Sequence, residues 1–428
     1  MLRTALLEWE APHLRFRVLW DQIFLKLFSR FKTSIDGNPD LDSPYHKLYM
    51  PFCIQNPLLV QISIYTVACF LTETRHLDKQ QSILIKGQTI RMLNDRLRST
   101  EDAISDASIA GVCQMIADEW YWGDMHELLA HLKGMRHMIE LRGGYQNLGL
   151  EGLLSKMIIV TDFGIAITFE LPPYLQEGKE FQFEDRTPGE HRVSHHSPLV
   201  ASALSFANSV HLSGLHPTTA SILDDIRFLI ALAISTPAVP STQQAQKLKW
   251  TADWIHGRIQ ALPNDAPPSE PSATSSTSST PQAKEKQNQS TASSARTSHE
   301  PQRSDSVASP DYLYQSIRQA ALLYTTTIAA TKPFSQTCSP DDFCQLWVAV
   351  WRVPLGVWKS LLGIFLWIEV AVLAAARDTP HGRFVKSMYN IAALSLATED
   401  WDAAIAALRS ALNLQSRLTT WDTNKLTP

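Results

Sequence analysis

What this chain has little of narrows the field first. It has no charge of one sign: 38 Lys and Arg stand against 42 Asp and Glu, a formal net charge of −4 over 428 residues. A dedicated nucleic-acid-binding domain carries a clustered basic footprint. Here the basic residues are scattered, as in Arg15, Arg17, Lys26, Arg30 and Lys32, a spread that fits the solvated face of a helix. Cysteine is sparse and odd in number: Cys53, Cys69, Cys113, Cys338 and Cys344, with no C-x-x-C pair. A disulfide framework is therefore not expected, and a reducing, intracellular setting fits best. Long hydrophobic runs are also missing. Glu8 and Glu10 interrupt the opening residues before any apolar core of a signal peptide can form. The most membrane-like stretch, 361–376, carries Glu369 and falls short of the ~20 residues a span requires, which predicts a buried core helix.

The usual signatures of catalysis are absent as well. The sequence holds no Walker A loop, no G-x-G-x-x-G, no G-x-S-x-G elbow and no H-E-x-x-H. His191, His195 and His196 cluster in HRVSHH, but no cysteine or second histidine pair nearby completes a tetrahedral metal site. His126, His131 and His137 are spaced five and six apart, which puts them on different faces of one helix. Three acids stand in apolar helical surroundings: Glu119, Asp162 and Glu369. A buried carboxylate needs a partner, and each is read as a structural hydrogen-bonding group, Asp162 toward a neighbouring helix. No catalytic, cofactor-binding or metal-ligating residue is nominated, and no enzymatic activity is expected.

What is present is helical periodicity. Strand-type alternation is missing, so the expected fold class is all-α. Apolar positions mark helices over 54–77, from Asp106 to Trp120, from Asp124 to Arg142, and from Gly152 to the Pro172-Pro173 exit. Proline stops a helix because it lacks the N–H and clashes with the preceding turn. Residues 181–198 are polar and read as a surface loop, after which helices resume over 222–234 and 243–262. Composition then changes. Residues 263–310 are mostly Ser, Thr, Pro, Gln and Ala, with too few apolar side chains to offset the entropy of ordering. The expected layout is an N-terminal and central helical part (1–262), a disordered Ser/Thr/Pro-rich linker or insertion (263–311), and C-terminal helices completing the same domain (312–428). The architecture expected is an irregular multi-helix bundle of stacked helical hairpins. The last of these, over 384–418, looks like a single tetratricopeptide-type hairpin joined near Glu399-Asp400, without the repeat that would make an array.

The most informative stretch is DMHELLAHLKGMRHMIELRGGYQNLG, from Asp124 to Gly149. Asp124 can cap the first turn and Glu127 can reach back in a capping box. Met125, Leu128, Leu129, Leu132, Met135 and Ile139 make an apolar stripe, and Gly143-Gly144 follow Arg142 where a helix needs a left-handed stop. Within it, His131-Leu132-x-Gly134, Met138 and Arg142-Gly143-Gly144 resemble a signature of the fungal-specific transcription factor domain. YMPFCIQNPLLVQISIYTVACFL, MIIVTDFGIAITFELPPYL, PLGVWKSLLGIFLWIEVAV and DWDAAIAALRSAL are similar to the family's other helices.

The resemblance implies an all-helical regulatory domain, nuclear location and control of transcription. In that family DNA recognition usually belongs to six cysteines binding two zinc ions, and five scattered cysteines cannot supply that cluster. Contact with DNA is therefore expected only through partners: other transcription regulators or coactivators, or a homo- or heterodimer. A small-molecule effector between the helices is a further implication; a cofactor or a membrane is not. Two alternatives remain open at this point: a helical enzyme or small-molecule-binding protein of secondary metabolism, and a tetratricopeptide-like interaction scaffold.

Overall fold

The computed structural model describes residues 34–265 and 310–426, apart from 39, 186–188, 190, 191, 202 and 203. Among the described residues every regular element is helical and no strand occurs. A short π-turn (Tyr45–Tyr49) leads into α1 (Met50–Gln55) and α2 (Pro57–Glu73). The chain breaks between them at Asn56, which is extended just before Pro57, because a residue preceding proline is driven out of the helical region. There follow α3 (Lys79–Leu97), α4 (Asp106–Trp122), α5 (Met125–Arg142) and α6 (Leu153–Phe169). After a long irregular connection come α7 (Pro217–Ser235) and α8 (Thr242–Gln260). Beyond the undescribed stretch are α9 (Tyr312–Ala330), α10 (Pro340–Arg352), α11 (Leu362–Ala376), α12 (Gly382–Glu399) and α13 (Trp401–Leu426).

Successive helices pack as hairpins: α2 on α3, α4 on α5, α11 on α12, α12 on α13. The α8–α9 pair, whose helices flank residues 266–309, packs more extensively than any other. The Ser/Thr/Pro-rich stretch itself lies outside the described residues. Helix α6 sits between these layers and touches α4, α11, α12 and α13. It is therefore apolar almost all round, and only Met157 and Phe169 along it are partly exposed. With the short turn before it, Leu150–Phe169 is long and apolar enough to cross a membrane by length and composition, although 83% of that window is buried within the protein. Gly164 explains how it packs so closely: a Cβ there would come 2.5 Å from the Tyr389 ring and 2.6 Å from Trp120.

The stretch 361–376 is a buried core helix, as its length implies, and Ala375 alone in α11 is partly exposed. Two sequence expectations are corrected. Leu129 is 37% exposed, so the inward stripe of α5 runs through Leu128, Leu132, Met135, Met138 and Ile139 instead. Residues 181–198 are not simply a surface loop, since Phe181, His195 and Ser197 are buried.

Candidate functional site

The residues after α5 form a node whose parts come from distant stretches of chain. Asp124 accepts the Glu127 N–H at 3.0 Å, starting α5 as its residue type dictates. The return half of the expected capping box is replaced: the Glu127 carboxylate pairs with Lys86 on α3, and Lys86 also bridges to Glu119 on α4 at 2.8 Å. At the other end Gly143 is left-handed (φ +84°), and the Gly144 N–H donates to Ile139 O at 2.9 Å, closing the helix.

Arg142 then spreads its guanidinium over Ile104 O, Asn147 O and the Asp106 carboxylate, and Asp106 in turn accepts the Gly149 N–H. Gly144 (φ +101°) admits the main chain of Glu180, which would lie 2.8 Å from a Cβ at this position. Each residue of Arg142-Gly143-Gly144 thus has its own structural task.

A second set of contacts grips the loop that leaves α6. Helix α6 ends at Glu170, itself left-handed (φ +54°), and the chain runs through Pro172-Pro173 into Tyr174, Leu175 and Gln176. Asp162, buried in the middle of α6, accepts the N–H groups of Tyr174 (2.9 Å) and Leu175 (3.0 Å). Burial drives its carboxyl up to about 6, and the two N–H bonds counter only part of that rise. The acid is structural, as expected, but it holds the loop following its own helix rather than a neighbouring helix. From α5, Arg136 donates to Tyr174 O at 2.8 Å and to Glu177 O at 2.7 Å, with its guanidinium 4.6 Å from the centre of the Phe181 ring. The buried Tyr145, one residue beyond the double glycine, donates its hydroxyl to Leu175 O at 3.2 Å.

The gripped loop walls one side of a cleft of about 570 Å³. Helix α13 forms the opposite wall with Arg409, Leu412, Asn413, Ser416 and Thr419, and Phe163 of α6 is also part of the lining. That volume lies within the range of small-molecule sites.

The other singled-out groups do not join this cleft. Burial pushes the Glu119 carboxyl up, with Lys86 opposing that rise. Glu369 is 0% exposed, neither carboxylate oxygen has a hydrogen-bond partner among the described residues, and burial holds it well above the ordinary glutamate range. His195 Nε2 lies 3.0 Å from Glu399 Oε2, and its Nδ1 3.6 Å from Asp400, which caps α13 through the Ala403 N–H. His191 lies outside the described residues. His131 is pushed down by burial, and His137 is exposed. Among the described residues no three His, Cys, Asp or Glu side chains are arranged to hold a metal ion. Cys53, Cys69, Cys113 and Cys338 are buried and Cys344 is exposed.

Residues 22–341 match the model of the fungal specific transcription factor domain, three quarters of the chain and all of the node around Arg142-Gly143-Gly144. The chain belongs to this family. No curated protein and no solved structure matches it. Membership in the fungal specific transcription factor domain family marks the protein as a transcription regulator. In this chain the double glycine closes α5 and lets the Glu180 main chain approach Gly144. Arg136, Tyr145 and Arg409 carry much of the site, and sequence periodicity gave no sign of them. Their partners are main-chain carbonyls or open space, which leave no pattern in residue type.

Proposed function

We propose that this chain is the regulatory part of a nuclear transcription regulator, acting through other transcription regulators or coactivators and not as an enzyme. Its flanking parts, 1–262 and 312–428, work as one domain around the 263–311 insertion. Within residues 1–428 five dispersed cysteines cannot build a binuclear zinc cluster, and we read the contribution of these residues as contact with DNA-binding partners. A secondary-metabolite or nutrient pathway is the setting the reading favours.

The family match over 22–341 carries this reading. The disposition of the buried acids supports it. Asp162 is occupied by two backbone N–H groups, Glu119 by Lys86, and Glu369 is sealed in an apolar helix, so the three do not converge on one reacting centre. Irregular packing of hairpins of unequal length favours a regulatory bundle over a tetratricopeptide superhelix. Phe228, Trp250 and Trp254, lining one shallow depression on α7 and α8, are each more than half exposed, aromatic surface of the kind that accompanies protein contacts.

The test is a fusion of the full chain to an unrelated DNA-binding domain, read by a reporter in a fungal host. A change in reporter output in either direction, with nuclear accumulation of the unfused chain, is the expected result. An unchanged reporter together with diffuse cytoplasmic staining would overturn it.

A further inference from the structure

We infer that the cleft between the α6 exit loop and α13 is a binding site for a small monocarboxylic acid with an apolar tail. Two charged side chains line the cleft, Arg409 and Glu170. Glu170 is occupied: its carboxylate accepts both the N–H and the hydroxyl of Ser335. Arg409 is exposed and forms no ion pair among the described residues. A guanidinium presents a planar fork of donors matched to a carboxylate. Near it on α13 stand Asn413 and Ser416, both exposed and able to hydrogen-bond an oxygen seated beside the guanidinium. Gln176, Gln415, Thr419 and Thr420 add polar lining, and Phe163, Leu171, the two prolines and Leu412 supply the apolar part. One cation, a row of hydroxyl and amide groups and an apolar floor select an anionic head with a hydrocarbon or aryl tail.

The wall of this cleft is the loop held by Asp162, Arg136 and Tyr145. An acid seated there touches the loop that Arg136 of α5 holds, which links occupancy to the arrangement of α5. The site therefore deepens the regulatory reading. It rests on that reading for its consequence only, not for the binding itself.

The experiment is titration calorimetry of the purified full chain with butyrate, hexanoate, octanoate and phenyllactate, each beside its neutral amide. At least one acid is expected to bind saturably with a Kd below about 1 mM, and its amide at least roughly tenfold more weakly. Arg409→Gln should weaken the acid roughly five- to tenfold and leave the amide unaffected. Arg409 is exposed on a helix surface, so this variant folds; Asn413→Ala, a second exposed position one turn along α13, should also weaken the acid. Absence of saturable binding by all four acids up to about 10 mM, or equal binding of acid and amide in wild type and Arg409→Gln, overturns the inference. Binding with a silent reporter fusion would sink the regulatory reading alone, and an active fusion with no binding would sink the site alone.

Discussion

Arg136 Nη1 donates to the Tyr174 carbonyl at 2.8 Å, joining the middle of α5 to the loop beyond α6. Its Nη2 reaches Glu177 O at 2.7 Å, so one planar group holds two carbonyls three residues apart. A lysine can place one donor here but cannot span both. Arg136→Lys is expected to cost about 1–2 kcal/mol, concentrated in the loop. Native-state hydrogen exchange is the measurement. Amides of residues 174–178 should exchange faster while those of α4 and α11 keep their protection; uniform loss of protection would mean that Arg136 supports the whole bundle instead.

Two glycines in the same signature should respond in opposite directions to alanine. Gly144 has φ +101° and faces the Glu180 main chain at 2.8 Å, so Gly144→Ala combines backbone strain with a clash and should destabilise by about 2–4 kcal/mol. Gly134 is exposed in the middle of α5, and a methyl group added there would meet no atom within 4 Å. Gly134→Ala should therefore stabilise by about 0.5–1 kcal/mol through helix propensity alone. Urea unfolding of both variants decides the matter, and a stabilised Gly144→Ala would refute the proposed close approach.

Asp162 gives a pH signature. Its folded-state value near 6 stands above the ordinary 3.8, so between pH 4 and pH 6 the folded protein binds more protons than the unfolded chain. Stability from this group is therefore greatest at low pH and falls as pH rises through that window, by about 3 kcal/mol in all. Asp162→Asn cannot titrate, and with one carbonyl oxygen it can accept well from only one of the Tyr174 and Leu175 N–H groups. The variant should be less stable than wild type near pH 4.5, with the gap narrowing toward pH 7.5. Denaturant midpoints at the two pH values test this, and a gap independent of pH would show that Asp162 does not change protonation.

Much of this fold was legible in the chain because its helices announce their own ends. Asp124, Gly143 and the Pro172-Pro173 exit mark boundaries by local chemistry, and the structure places helix termini at or within a few residues of each. The inward stripe of α5 was readable except at Leu129, because a periodic pattern fixes a face only to within about one residue's turn. The site was less legible. Asp162 stood out as an acid among apolar residues, but its partners are backbone N–H groups, which every residue type offers. Tyr145 and Arg136 likewise act on carbonyls, and Arg409 matters for what it faces across a tertiary cleft. Side chains that bind main chain leave no complementary residue for a reader of sequence to find.

Glu369 lies at the centre of α11 with 0% exposure and, among the described residues, no hydrogen-bond partner for either carboxylate oxygen. Burial alone raises it well above the ordinary 4.5, so the folded state keeps the proton to higher pH than the unfolded chain does. The sign follows as for Asp162: the folded state retains the proton while the unfolded chain releases it above about 4.5, so stability declines as pH rises from there. Methionine has similar length, no hydrogen-bonding demand and no charge to lose. Glu369→Met should therefore stabilise the protein by about 1–3 kcal/mol at pH 7.5, and by less at pH 5. Glu369→Gln keeps the polar burial but removes the titration, and should show the flattened pH dependence with a smaller gain. Unfolding curves for the three proteins at both pH values separate the contributions. A destabilised Glu369→Met would mean that the carboxyl meets a partner in solution, and the unpartnered acid would have to be abandoned.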